Sequence, residues 1–192
     1  KKRRNYFYGL KYIIIDQEIK KVKYKNLKKY ITILSHFGGT DLRKLNLKVV
    51  KLLENFSKKI YLKIIIGPSV NYSLKKLTQL LKNLKFKYKI YNYPEKLNNI
   101  YNKCDLAVIS GGTTLFNFCS LRKANISIST NNYEKKNCAK MEKNKLTSYL
   151  GHHNNVSNLK LHKSITKILK NKRLSSKITF DGINNISNII KK

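Results

Sequence analysis

Apolar residues along the chain fall into two alternating patterns, short runs and longer stretches with helical spacing. Tyr30 to Ser35, Tyr61 to Ile66, Phe86 to Tyr91, Leu106 to Ile109 and Asn125 to Ser129 have the length and bounding residues of buried strands. Between them, Leu45, Val49, Leu52, Leu53 and Phe56 keep helical spacing within Arg43 to Ser57, and Leu74, Leu77, Leu80, Leu81 and Leu84 do so in a second segment. Pro94 opens a short helix to about Lys103. Leu115, Phe118, Cys119 and Arg122 give the helix after Thr113 a mostly apolar face. Asn132 to Leu146 reads as a charged helix, Leu159 to Leu169 as an amphipathic one, and Ile183 to Ile190 as the last.

Strands alternating with helices predict an α/β class: a single doubly wound, Rossmann-like domain with a mainly parallel sheet covered on both faces. Residues 1–29 read as a basic lead-in with one apolar run, Tyr12 to Ile15, and residues 30–192 as the domain. No internal repeat divides it. Ligands of such sheets sit outside the carboxyl ends of the strands. Two glycine turns fall there, Gly38-Gly39-Thr40-Asp41 and Gly111-Gly112-Thr113-Thr114, each after a strand and before a helix. Both lie on one edge of a parallel sheet, where they could face one ligand from two sides.

A glycine pair lets a ligand approach backbone without meeting a β-carbon. The helix behind it offers N–H groups and the positive end of its dipole, which favour a phosphate or pyrophosphate. The two hydroxyls of Thr113 and Thr114 add donors. Such a turn is also ordinary α/β architecture, so both readings stand at this point. Asp41 serves equally as a helix N-cap or a ligand contact, and His36 as a structural or a catalytic histidine. His152 and His153, beside Gly151, read as surface loop residues.

Charge changes this picture less than its size suggests. The net charge is +33, which first points to nucleic acid. Yet 37 of the 42 basic residues are lysine and five arginine, whereas phosphate and base recognition favours arginine's planar fork. The lysines are spread along the whole chain with a surplus of Asn and Ile, residues that share A/T-rich codons. Codon composition therefore accounts for the charge, and no nucleic-acid partner is expected; a basic nucleic-acid-binding module remains the alternative from another class.

Cys104, Cys119 and Cys138 form no CxxC and no zinc spacing with histidine, and an odd number suits a reducing, cytoplasmic compartment. No apolar run approaches the roughly 20 residues of a membrane span. Lys11 and Asp16 interrupt the N-terminal apolar run, which makes it a poor signal peptide, and the chain could equally begin partway through a larger protein.

Taken together, five short motifs resemble the C-terminal half of two-domain UDP-sugar enzymes of the GT-B type, related to the MurG glycosyltransferases. Within that group they are most similar to the UDP-sugar hydrolases of the pseudaminic acid pathway, which serve sialic-acid-like surface glycans. The motifs are Gly9-Leu10-Lys11-Tyr12, His36-Phe37-Gly38-Gly39-Thr40-Asp41, Ile66-Gly67-Pro68, Cys104-Asp105-Leu106-Ala107 running to Gly111-Gly112-Thr113-Thr114, and Phe180-Asp181-Gly182. The resemblance implies a UDP-sugar as substrate, with no separate cofactor and no metal. It implies that Gly111 to Thr114 hold the pyrophosphate and that the uracil lies against Tyr91 to Tyr93.

Three positions depart from the family pattern. Asn117 stands where a glutamate takes the ribose hydroxyls, Ala124 where a proline follows the helix, and Asn131-Asn132 where an Asn-Gln pair follows the next strand. In this group the catalytic base comes mainly from an N-terminal domain. The chain has nine carboxylates and no acid/base pair suggested by spacing, so the resemblance implies half an active site, completed by that missing domain or by a separate subunit. The alternative within the group is the donor-binding half of a MurG-like UDP-N-acetylglucosamine transferase.

Overall fold

In the computed structural model, which describes residues 9–22, 30–56, 59–82, 84–170 and 178–191, the apolar runs become strands of one sheet. The strands are β1 (Ile31–His36), β2 (Ile60–Ile66), β3 (Lys87–Asn92), β4 (Leu106–Ser110), β5 (Asn125–Ser129) and β6 (Ser148–His152). All neighbours pair in parallel, in the order β3-β2-β1-β4-β5-β6. The helices are α1 (Leu45–Leu52), α2 (Leu74–Lys82), α3 (Asn98–Asn102), α4 (Thr113–Ser120), α5 (Asn132–Lys143), α6 (Asn158–Lys170) and α7 (Gly182–Ile190). The expected doubly wound α/β domain is the observed one.

Period-two alternation decides which residue feeds which layer. In β1, Ile33 joins the layer of Leu45, Val49, Leu77, Leu161 and Ile165, whereas Leu34 joins that of Tyr101, Leu115, Phe118 and Met141. In β4, Leu106 and Val108 take the first side, Ala107 and Ile109 the second. Helices α1, α2 and α6 therefore cover one face, and α3, α4 and α5 the other. Strand β3 is an edge strand, and its exposed Lys87, Tyr88 and Lys89 present charge at that border.

Three expectations differ from the structure. The short helix expected from Pro94 to about Lys103 is only α3, Asn98–Asn102, with residues 94–97 irregular ahead of it. The helix expected over Arg43 to Ser57 is shortened to Leu45–Leu52, because Lys44 ahead of it is left-handed (φ 54°) and residues after Leu52 tighten into turns. Strand β6 lies where the sequence reads as loop. It is only five residues long, none of its side chains is fully buried, and Gly151 with φ 106° interrupts it, so it lacks an apolar run. His152 is consequently the last residue of a strand, half-buried, and His153 follows in a 3-10 turn.

Residues 9–22, the described part of the basic lead-in, are docked on the domain. Val22 N–H donates to Asn102 Oδ1 at 3.0 Å, Lys20 N–H to Asn98 Oδ1 at 3.1 Å, and Asn102 Nδ2 returns a bond to the Lys20 carbonyl at 2.9 Å. At the other end Asn185 of α7 donates to the Lys11 carbonyl at 2.7 Å, and Gly182 lies against the backbone of Tyr12 and Ile13. Residues 1–8 and 23–29 lie outside the described residues.

Candidate functional site

The strand order reverses between β1 and β4, and a parallel sheet opens a crevice at the carboxyl ends of such a pair. The register His36↔Ile109 sets the two glycine turns side by side at that point. They are built differently.

After β1, Gly38 takes φ 78° and Asp41 φ 39°. The Asp41 carboxylate turns into the start of α1, accepting from Leu45 N–H at 2.7 Å, Asn46 N–H at 3.0 Å and the Tyr72 hydroxyl at 2.9 Å. Burial raises its pKa while these bonds act in the opposite direction. Asp41 thus caps α1 from within, and the two amides it holds are occupied. Gly39 and Thr40 stay exposed at the tip, and Ser69 N–H donates to the Gly39 carbonyl at 2.9 Å. A side chain on Gly67 would collide with the carbonyls of Gly38 and Gly39, so the Ile66-Gly67-Pro68 segment supports this turn by close packing.

After β4, Gly111 and Gly112 have separate reasons. A β-carbon on Gly111 would lie 2.7 Å from both Cys138 Sγ and the Glu134 carbonyl, and 2.8 Å from Glu134 Cβ, so glycine there lets α5 approach. Asn137 Nδ2 holds the Gly111 carbonyl at 3.0 Å. At Gly112 the nearest atoms, Glu134 Oε1 and Ser110 Oγ, are 3.7 and 3.9 Å from the same point. Gly112 is extended and precedes α4, whose N-terminus has no side-chain cap. The first amides of α1 and α5, by contrast, are taken by Asp41 and Asn131.

Behind both turns runs a buried polar line. His36 Nδ1 meets the Tyr101 hydroxyl at 2.9 Å, and Thr114 in the first turn of α4 lies close to that hydroxyl. Burial pulls the His36 pKa down to about 4, so the ring is neutral at neutral pH, and burial pushes the Tyr101 phenol upward. Thr113 is exposed beside it. Asn117, one turn further, is 5% exposed, and its Oδ1 is buried with no hydrogen-bond partner. A buried acceptor in that condition carries its desolvation cost uncompensated.

The other expected site residues spread along the same edge. Tyr91 is the second-to-last residue of β3 and half-buried, and Tyr93, just past the strand, is exposed with φ 47°. Strand β3 is three strand spacings from β4, roughly 14 Å. Asn132 is the exposed first residue of α5.

Sequence reasoning missed Glu134. Its Oε2 accepts from Thr130 N–H and Thr130 Oγ, both at 2.7 Å, leaving Oε1 on the Gly112 side. Asn131 accepts from Glu134 N–H at 2.9 Å, so Asn131-x-x-Glu134 is a capping-box spacing that was legible in the chain. Among the described residues no cluster of three or more His, Cys, Asp or Glu could hold a metal ion, and no helix is long and apolar enough to cross a membrane.

Known proteins share this architecture. The chain is 34% identical over 118 residues to an uncharacterised protein of Methanocaldococcus jannaschii, MJ1062, covering 58% of this chain and 24% of that one. It spans about a quarter of that relative's length. Acinetobacter baumannii MurG superposes with a TM-score of 0.60 at 11% identity, over 75% of this chain and 42% of MurG. The glycotransferase of kitacinnamycin gives 0.58 at 13%, over 81% of this chain and 38% of that one. At such identities these two show the fold alone. The description glycosyltransferase family 28 C-terminal domain fits residues 33–191. The chain belongs to the glycosyltransferase family 28 C-terminal domain family.

Proposed function

We propose that this domain binds a UDP-sugar at the switch point between β1 and β4 and acts as the donor half of a glycosyltransferase-type enzyme. The observation that carries the reading is the contrast at the carboxyl edge. Gly112 faces space that a β-carbon would only touch, and the α4 N-terminus behind it is uncapped. A diphosphate lying there accepts from backbone N–H groups and from Thr113, and meets the positive end of the α4 dipole. As the sugar departs, the diphosphate gains negative charge, and these fixed donors stabilise that charge without rearrangement. Asn117 lies one turn into α4 with a buried Oδ1 that lacks a donor; a ribose O–H would supply one once the side chain turns outward. Tyr91 and Tyr93 offer aromatic surface further along the edge for the base.

The family match favours transfer to an acceptor hydroxyl. Transfer to water, as in the hydrolases of the pseudaminic acid pathway, rests on the five sequence motifs. Either reaction needs a proton acceptor. His36 is buried against Tyr101 and Asp41 is turned into α1, which supports a base supplied by a second half of the enzyme. Calorimetric titration with UDP tests the site. We expect saturable binding that weakens only modestly with salt, whereas duplex DNA binding, with many phosphates, would fall steeply with it. A flat UDP titration of folded protein would refute the proposal.

A further inference from the structure

Beyond the glycine turns, the same edge carries a cluster of basic side chains outside the proposed nucleotide site. His152 and His153 stack with ring centroids 4.2 Å apart at the end of β6. Lys48 of α1 reaches the His153 carbonyl, and Arg43, in the loop between β1 and α1, is near enough to His153 for its charge to be felt there. Arg43 is exposed and has no hydrogen-bond or ion-pair partner among the described residues. Of the nearby carboxylates, Asp41 is turned into α1 and Glu134 is bonded to Thr130. Both carboxylates keep their charge, but among the described residues neither forms an ion pair with Arg43, Lys48, His152 or His153. His153 registers these surroundings: burial first, then His152, Arg43 and Lys48, lower its pKa below the ordinary histidine value.

The cluster is continuous with the crevice. Glu134, bonded to Thr130, keeps Oε1 on the Gly112 side, and the Thr130 carbonyl accepts from His152 Nε2 at 3.3 Å. Ser110 pairs with Ile128 and Ser129 with His152, which sets His152 level with the β4 turn. Two strand spacings separate them, about 10 Å.

We propose that Arg43, Lys48, His152 and His153 form an anion subsite that takes an oxyanion substituent of the substrate, a carboxylate or a phosphoryl group. Arginine's fork and two imidazoles suit either oxyanion. The assignment to a substituent of the donor or acceptor rests on the nucleotide reading; the presence of the subsite does not.

The test follows the imidazole resonances of the whole chain by NMR through a pH titration at about 0.15 M salt, where distant charges are screened. Added ligands are sodium glucuronate, inorganic phosphate and, as a neutral control, glucose. Glucuronate or phosphate should raise the pH at which His153 titrates by roughly half a unit, and glucose should not. A response to glucuronate alone assigns a carboxylate; one that includes phosphate assigns a phosphoryl group. In Arg43→Gln the response should weaken up to about fivefold in apparent affinity, the scale of one exposed ion pair. His162, bonded to the Leu52 carbonyl and flanked by Lys163 and Lys167, reports the general attraction of a basic surface. No movement of His153, or equal movement of His162, would overturn the subsite. A His153 response alongside a flat UDP titration would keep the subsite and discard the nucleotide reading.

Discussion

Replacing each glycine of the β4 turn by alanine should separate packing from binding. At Gly111 the new methyl meets three atoms inside 3.0 Å, one of them the Glu134 carbonyl in the backbone of α5. A helix cannot yield there without shifting against β5 and β6, so overpacking should cost about 3 kcal/mol. Restricting the unfolded chain returns about 0.7 kcal/mol. The net loss of about 2 kcal/mol corresponds to roughly 4–8 °C in Tm for a domain of this size. At Gly112 the methyl finds ordinary contacts, so Gly112→Ala should melt within about 2 °C of the parent. That methyl nevertheless occupies the approach to the α4 N-terminus and should weaken UDP on the order of tenfold, the loss of one charge-assisted hydrogen bond. Calorimetric melting and UDP titration on the same samples read both effects. Gly111→Ala with parental Tm refutes the packing argument, and Gly112→Ala binding UDP like the parent refutes the placement of the diphosphate.

Three further outcomes follow from the same geometry. Asp41→Ala removes the α1 cap and strands the Tyr72 hydroxyl, so denaturant melts should show a loss of about 2 kcal/mol with UDP affinity unchanged; a loss of affinity without one of stability would make Asp41 a ligand group. His36 is held below its unfolded pKa, so the unfolded chain binds the extra proton and stability falls as pH drops from 6.5 toward 4. Between pH 7 and 5 its contribution should shrink by about 2 kcal/mol, and His36→Gln should flatten that part of the pH profile of urea midpoints. Asn117→Glu should tighten UDP by about 1 kcal/mol through a charged hydrogen bond, while lowering the Tm of the empty protein because the position is 5% exposed; unchanged affinity would count against a ribose contact.

Strands written as dense apolar or strictly alternating runs were legible in the chain. Asn125 to Ser129 is predicted and observed with the same bounds, because alternating Asn125, Ser127 and Ser129 against Ile126 and Ile128 leaves no other period. Strand β6 was hidden because its place is set by pairing with β5 rather than by its own composition. Asp41 shows the limit at single residues: cap and ligand roles ask for the same side chain, and only the direction of the carboxylate separates them. Gly111 and Gly112 look equivalent in sequence, yet α5, whose approach distinguishes them, begins some twenty residues later. The burial of Asn117 is likewise tertiary, since helical spacing alone places it beside the exposed Thr113.

The docking of residues 9–22 against α7 has a consequence for connectivity. Ile14 and Lys191 line one groove, and Asn185 is bonded to Lys11, so the first and last described segments are neighbours. The sheet therefore depends on which elements touch and not on where the polypeptide is cut. A permuted chain in which a short linker joins residue 191 to residue 9, opened at the exposed Glu95-Lys96 in the loop before α3, should keep the strand order and the crevice. In the natural order, any force on the chain ahead of Gly9 is carried directly into α7, which gives the two ends of the domain a single mechanical anchor.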